Sequence, residues 1–190
     1  MRKGNLFVIS GPSGAGKGTL VAQLLRQVPD AWLSVSATTR APRAGEVDGV
    51  HYYFVTRDRF MEMAGEGELL EWAEYSGNCY GTPMASVLEH MRAGNQVILE
   101  IDVQGAFQIR EKIPEAHLVF IEPPSMEILE QRLRGRGTED EETINRRLKA
   151  AELELSRKME YDITLVNDEL DVAVRELIAY VDGKAEEARE

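Results

Sequence analysis

The segment 9–20, ISGPSGAGKGTL, leaves few choices for the fold around it. Gly11 is followed by four residues and then by Gly16 and Lys17, the spacing of a loop whose backbone N–H groups close around a phosphate. Glycines let consecutive N–H groups turn inward, and the N-terminus of the helix behind them adds its dipole. Such a loop needs a strand before it and a helix after it. The apolar run 6–9 supplies the strand, 11–16 the tight loop and 19–25 the helical start. Lys17 is placed to bridge the outer phosphates as charge shifts in a transition state. One position departs from the common pattern. Ser or Thr usually follows the lysine, with its hydroxyl on Mg²⁺; here Gly18 stands there and the hydroxyl comes at Thr19. Mg²⁺ would then be held mainly by nucleotide oxygens and water, as its reluctance to dehydrate allows. Thr19 is left to donate to an inner phosphate.

Further apolar runs at 97–101, 118–121 and 163–166 alternate with helix-like patterns. Buried parallel strands in an α/β layered fold follow from that. Between 34 and 82 the texture changes to turn residues and alternating aromatics, which predicts a lobe of antiparallel strands and loops inserted into the core. A second interruption, RLRGRGTEDEETINRRL at 132–148, is broken by Gly135 and Gly137. Thr138 with Glu141 is expected as a capping box, and the helix behind it places Ile144, Leu148, Ala151 and Leu155 on one face. A glycine-broken, arginine-rich segment before a capped helix reads as a mobile lid. The expected division is a core of 1–33, 83–131 and 148–190, a lobe of 34–82 and a lid of 132–147.

Composition excludes several roles. A formal charge of −11 argues against a nucleic-acid binder, because neutralising phosphates needs a basic surface. An anionic substrate must be drawn in by arginines concentrated locally. Cys79 is the one cysteine and cannot form an internal disulfide, which fits a reducing compartment. The N-terminal apolar run is too short for a signal peptide and nothing later approaches a membrane span, so a cytoplasmic protein is expected. No obligate protein partner is expected. His51, His90 and His117 lack metal-ligand spacing, and Trp32 and Trp72 read as packing residues.

The lobe carries the more specific chemistry. SATTRAPRAGEVDGVHYYF sets Arg40 and Arg43 around Pro42, so that two planar guanidiniums on one rigid loop can grip a phosphate. LLEWAEYSGNCYGTP adds Glu71, Tyr80 and Thr82. Surface ion pairs are the plainer reading of these arginines and glutamates taken alone. The Lys-Gly-Thr loop resembles that of adenylate kinases. Taken together, the loop, SATTRAPRAGEVDG, EWAEYSGNCYGTP, LEIDVQGA, RLRGRGTEDEETINRRL and YDITLVND resemble the guanylate kinases over nearly the whole chain. The resemblance implies a P-loop NTPase-type parallel-sheet core flanked by helices, with an inserted GMP-binding lobe and a helical lid. It implies transfer of the γ-phosphoryl group of MgATP to GMP, and to dGMP, within purine nucleotide metabolism.

By that similarity Ser36, Arg40, Arg43, Tyr52, Glu71, Tyr80 and Thr82 bind GMP, and Asp102 contacts GMP or its surrounding waters. Strand alternation puts Tyr52 and Phe54 on one side and Tyr53 on the other, and only the resemblance picks Tyr52. The chemistry of Glu71 agrees independently: guanine presents N1–H and N2–H₂ along one edge, and a carboxylate accepts both. The ATP set is Gly11, Pro12, Ser13, Gly14, Ala15, Gly16, Lys17, Gly18 and Thr19, with Arg132 expected to stack on adenine and Asn167 near the same base. Glu100 and Asp102 share a face at the end of VILEID, where acidic groups organise Mg²⁺ or its waters; capping of the next helix is the alternative for Asp102. Lys17, Arg40, Arg136 and Arg147 are expected to be catalytic. Arg147 borders the apolar stripe of its helix, whereas Arg146 and Arg134 read as a solvated face. The rival readings are a related kinase for another phosphorylated small molecule and a non-catalytic module that binds phosphopeptides. The intact phosphate loop argues against the module.

Overall fold

In the computed structural model, which describes residues 2–75, 77–135, 137 and 140–187, the first strand, β1 (Asn5–Ser10), is buried along its whole length. It runs parallel to β7 (Gln96–Glu100) on one side and to β8 (His117–Glu122) on the other. β2 (Ala31–Leu33) and β9 (Ile163–Val166) complete a five-stranded parallel sheet in the order β2-β7-β1-β8-β9. The apolar runs thus become strands, with Ile101 just past the end of β7. β2 has no counterpart in the sequence reading. Its half-buried residues are too few to show a period.

Alternation along the strands sorts their side chains to two faces. Phe7, Ile9, Ile98, Val119 and Ile121 meet α1 (Lys17–Gln27) and α7 (Leu170–Glu187) through Leu20, Leu24, Ala173 and Leu177. Leu6, Val8, Val97, Leu99, Leu118 and Phe120 meet α3 (Met84–Arg92) and α4 (Val103–Lys112) through Val87, Val103, Ala106 and Ile109. Each such side chain, fully buried, stabilises the fold by roughly 1.5–3 kcal/mol. Helices on both faces make this an α/β protein.

The inserted lobe has its own sheet, in the order β4-β3-β6-β5. β3 (Ala37–Thr38) pairs antiparallel with β6 (Asn78–Pro83), and β6 pairs antiparallel with β5 (Leu69–Tyr75). β4 (Tyr53–Phe54) corrects the expectation of purely antiparallel strands, for it lies parallel to β3. The long connection 39–52 makes this possible by carrying the chain back to the start of the sheet. α2 (Arg57–Gly65), capped by the Thr56 side chain, was not legible in the sequence. Its Phe60 and Met63 close a small core with Ala37, Leu69 and Cys79. Alternation along β5 lets it serve two cores: Leu69 packs in the lobe and Leu70 against the main sheet.

α5 (Met126–Arg134) and α6 (Glu141–Ser156) pack through Leu129, Leu133 and Ala151, with Leu148 against them. Ile144 and Ala151 are buried, as the stripe predicts. The cap differs from the expected one: Asp140 Oδ1 accepts from the Thr143 N–H at 2.8 Å, which puts Glu141 in the first turn rather than at the third position. Thr138 and Arg136 lie outside the described residues. Among the described residues no helix is long and apolar enough to cross a membrane.

The loop between β1 and α1 is held from below. Gly11 has φ +141° and Gly16, which precedes α1, has φ +93°. A Cβ at Gly11 would lie 2.2 Å from the Ile121 carbonyl oxygen, and one at Gly16 would lie 2.3 Å from Asn167 Nδ2. Asn167 is the brace. Its backbone N–H donates to the Glu122 carbonyl at 2.8 Å, and its side chain donates to the Ala15 carbonyl at 2.7 Å. Asn167→Ala leaves that buried carbonyl unpaired, at a cost of about 1–3 kcal/mol. The expected result is a melting temperature lower by about 3–10 °C in scanning calorimetry; an unchanged temperature would mean that the brace contributes nothing.

Candidate active site

β1 and β7 end side by side, with Ile9 opposite Glu100. The phosphate loop therefore leaves β1 next to the acidic end of β7. Between them opens a cavity of about 450 Å³ lined by Gly11, Ser13, Lys17, Tyr75, Glu100, Ile101, Asp102, Arg147, Ala150, Ala151 and Glu154. The Lys17 ammonium donates to the carbonyls of Gly11 at 2.6 Å and Pro12 at 3.1 Å. Burial pushes the carboxyls of Glu100 and Glu154 above the ordinary range, and the charge of Lys17 only partly opposes it. Arg147 reaches across from α6, its Nη1 donating to Ser13 Oγ at 2.7 Å. Within the loop Pro12 and Ala15 are buried, whereas Gly18 and Thr19 are exposed on the first turn of α1.

A second cavity, of about 130 Å³, shares Glu100, Ile101 and Asp102 with the first and adds Ser36, Tyr52, Glu71, Ala73, Tyr80 and Gly81. Glu71 is its floor. Only 5% exposed, its carboxyl accepts from Thr82 Oγ1 at 2.6 Å, directly across the β5–β6 pair. Burial pushes the Glu71 pKa up to about 7; the charge of Asp102 acts in the same direction and the Thr82 hydrogen bond opposes it. Asp102 does cap α4, with Oδ1 accepting from the Gly105 N–H at 2.7 Å. The cap leaves that residue on the wall of both cavities.

Arg40 lies beside this second cavity, 5.4 Å from the Tyr52 ring centroid and 5.8 Å from that of Phe54. Its guanidinium grips Glu46 with two bonds, at 2.8 and 3.0 Å. Glu46 also accepts from the Arg43 backbone N–H at 2.7 Å, while the Arg43 side chain is exposed. Arg40 first, then the Arg43 N–H, hold the Glu46 carboxyl down at about 2. Arg132 and Asn167 are neighbours, with Arg132 Nη2 donating to the Asn167 carbonyl at 2.9 Å. The Asn167 amide itself is engaged by the loop. Arg134 pairs with Glu130 and Glu141, and Arg146 bonds to Thr143, all at exposed positions.

A family model described as guanylate kinase matches residues 3–184. A guanylate kinase of Synechococcus sp. (strain CC9311) is 56% identical over 170 residues, covering 90% of both chains. That of Streptomyces coelicolor is 56% identical over 174 residues, covering 92% of this chain and 88% of its own. The chain belongs to the guanylate kinase family. In three dimensions it superposes on the crystal structure of guanylate kinase from Anaplasma phagocytophilum with a TM-score of 0.78, at 33% identity, covering 97% of this chain and 88% of that one.

Some residues of this guanylate kinase site escaped the sequence reading. Glu154 lies seven positions after Arg147, two helical turns along the same face of α6, and that spacing was there to be seen. Glu46 stands three after Arg43 in the RAGE turn, but its pairing with Arg40 depends on how the loop folds back. Tyr75 gave no signal. The remaining polar aromatics are accounted for by packing: Trp32 stacks on His90 at 3.7 Å and His117 on Phe7 at 5.0 Å, while Trp72 meets Phe60 edge-on at 6.0 Å. His51 Nδ1 accepts from the Val47 N–H at 3.0 Å.

The donor set fits Mg²⁺. A Cβ at Gly18 would sit 3.5 Å from Glu100 Oε1, so the position that usually carries a hydroxyl faces a carboxylate instead. Glu100 and Asp102 offer hard oxygens in the cavity that begins at the phosphate loop. Among the described residues no group of three or more His, Cys, Asp or Glu is placed to hold an ion.

Glu71 makes a pH-dependent contribution to stability. Its folded-state pKa of about 7 lies above the ordinary 4.5, so the folded state is favoured while the group is protonated. That advantage declines as pH rises from the ordinary value through the folded one. Glu71→Gln keeps an acceptor for Thr82 without the charge. It is expected to raise the melting temperature at pH 8 by about 7–13 °C and to leave it much nearer the parent value at pH 5. An equal shift at both pH values in scanning calorimetry would show that burial does not raise this carboxyl.

Proposed function

We propose that the chain transfers the γ-phosphoryl group of ATP to GMP, giving ADP and GDP, and accepts dGMP through the same base contacts. One observation carries this reading. The cavity that starts at the phosphate loop and the cavity that starts at Glu71 share the wall formed by Glu100, Ile101 and Asp102. A donor phosphate and an acceptor phosphate, each bound in its own hollow, meet there. A further hollow of about 400 Å³, lined by Lys3, Gly4, Met91, His117 and Asp162 at the opposite end of the strands, holds none of these groups.

The donor's phosphates lie along the loop Gly11–Thr19, where the first N–H groups of α1 have no partner within the helix. Lys17 gives up its carbonyl contacts to bridge the outer phosphates. Arg147, and Arg136 from the lid, follow the negative charge as it moves toward the acceptor. Arg132 and Asn167 serve the adenine end. When Mg²⁺ is bound, held through water near Glu100 and Asp102, it neutralises charge on the donor phosphates. No covalent enzyme intermediate is required, since positioning and electrostatics are enough for phosphoryl transfer.

The acceptor enters base first. The Glu71 carboxylate accepts from guanine N1–H and N2–H₂, with Thr82 fixing the oxygen behind. Adenine offers no such pair of donors and leaves a buried carboxylate unsatisfied, a mismatch of the kind worth ~10⁴-fold. Guanine favours the anion, so its binding near neutral pH expels a proton from Glu71. At the other end Ser36, Arg40, Arg43, Tyr52 and Tyr80 receive the phosphate. Glu46 keeps the Arg40 guanidinium oriented beside Tyr52 for that task. Lobe (34–82) and lid (132–147) close over the core, excluding water so that ATP is not hydrolysed when the acceptor is absent. Buried, unpaired Cys79 suits a cytoplasmic setting.

The test is an ADP-release assay with MgATP against GMP, dGMP, AMP, UMP, CMP and no acceptor. Turnover is expected with GMP and dGMP alone, with negligible hydrolysis. Lys17→Ala should lower kcat by about 10²-fold or more without loss of fold. Equal turnover on AMP would overturn the base recognition. No turnover on any acceptor, from folded protein, would favour the non-catalytic module.

A further inference from the structure

β5 is an edge strand of the lobe's sheet, and among the described residues its one strand partner is β6. Its other side presents N–H and C=O groups that need partners, and α4 supplies them from side chains. Gln108 Oε1 accepts from the Trp72 N–H at 3.1 Å, and its Nε2 donates to the Trp72 carbonyl at 3.0 Å. Those are the two bonds that a neighbouring strand would make. Further along the helix Lys112 Nζ donates to the Leu69 carbonyl at 3.0 Å. Positions 105, 108 and 112 recur at helical spacing, so one face of α4 reads the backbone of β5.

Glu71 stands between the two residues so held, and opposite it the helix carries Gly105. A Cβ there would lie 2.9 Å from Glu71 Oε2, 3.3 Å from Glu71 Cδ and 3.1 Å from Ile101 Cδ1. No left-handed backbone calls for glycine at this position, since Gly105 is not among the glycines with positive φ. Within a helix alanine is otherwise the more favourable residue. What the glycine provides is a notch for the carboxylate.

We propose that this face of α4 positions the guanine-reading carboxylate, with Gly105 as a specificity-determining residue and Gln108 as the positioning residue that fixes β5. The proposal rests on the reading of Glu71 given above. A methyl group at position 105 meets the far end of a flexible side chain first. The helix accepts it and the carboxylate is displaced. The base contact then suffers while the phosphate loop, on the far side of the shared wall, does not.

The experiment is steady-state kinetics on the full chain for Gly105→Ala, Gln108→Ala and Glu71→Gln, varying GMP and ATP separately and comparing GMP with AMP, with melting temperatures alongside. Gly105→Ala is expected to raise the KM for GMP about tenfold or more and to narrow the GMP/AMP preference. The KM for ATP should change by less than about twofold, with no fall in melting temperature. Gln108→Ala should move the KM for GMP in the same direction, and it carries the test alone if the alanine at 105 prevents folding. Loss of GMP preference in Glu71→Gln together with unchanged GMP kinetics in both α4 variants overturns the proposal and leaves the reading of Glu71 standing. Unchanged preference in Glu71→Gln overturns that reading, and the proposal with it.

Discussion

The register of β1 against β7 governs this molecule. With Ile9 opposite Glu100, the two buried strands end together, and whatever follows each of them is forced into the same crevice. After β1 comes the phosphate loop, pinned by close backbone approach to Ile121 and by Asn167. After β7 come Ile101 and Asp102, with Ser10 Oγ donating to the Asp102 carbonyl at 3.3 Å to tie the two exits together. In parallel sheets the crevice beyond the strand ends, where connections diverge to opposite sides, is where ligands bind. Here α1 leads from β1 to β2 on one side of the sheet order, and β8 lies on the other. A slip of one residue in that register would turn every side chain of β1 to the opposite face. The two cores would be lost together with the loop's position.

The lobe is attached to that crevice by side chains. Its strand β5 lends Leu70 to the main core, leans on Gln108 and Lys112 of α4, and places Glu71 where it feels Asp102. The smaller hollow therefore belongs to both bodies: Ser36, Tyr52 and Tyr80 come from the lobe, and Glu100 and Asp102 from the core. In the proposed reaction this division answers the difficulty that a chain of net charge −11 must receive anions. Cations are few but local, with Lys17 and Arg147 at one hollow and Arg40 at the other. Several of the nearby carboxyls, Glu71, Glu100 and Glu154, have their ionised forms disfavoured by burial.

Much of this was legible in the chain itself. The apolar runs within β1, β7 and β8 are continuous because a parallel strand covered on both faces has no polar side to show; β9, at the edge, buries only Leu165. The phosphate loop was legible because its glycines answer a backbone demand that few other residues meet. Arg147 stood out from Arg146 by its place at the border of an apolar stripe, and the structure puts one on the cavity and the other in solvent. β2 and α2 were not legible, since a three-residue strand and a helix of mixed polarity carry too little period. Nor was the parallel pairing of β4, which the path of a long loop decides. The Gln108–Trp72 bonds join residues 36 apart, and no local pattern announces such a partner. Gly105 looked like one small residue in LEIDVQGA, and its reason became visible only with Glu71 lying against it.

The central claim is that guanine is read at Glu71 while its phosphate points toward the wall shared with the donor site. A crystal structure of the chain with GMP and ADP bound tests it most directly. The account predicts both Glu71 oxygens within hydrogen-bond reach of guanine N1 and N2, with the GMP phosphate among Ser36, Arg40, Arg43, Tyr52 and Tyr80 and facing Lys17. A nucleotide bound the other way round, or a base held away from Glu71 in a catalytically active crystal, would contradict it.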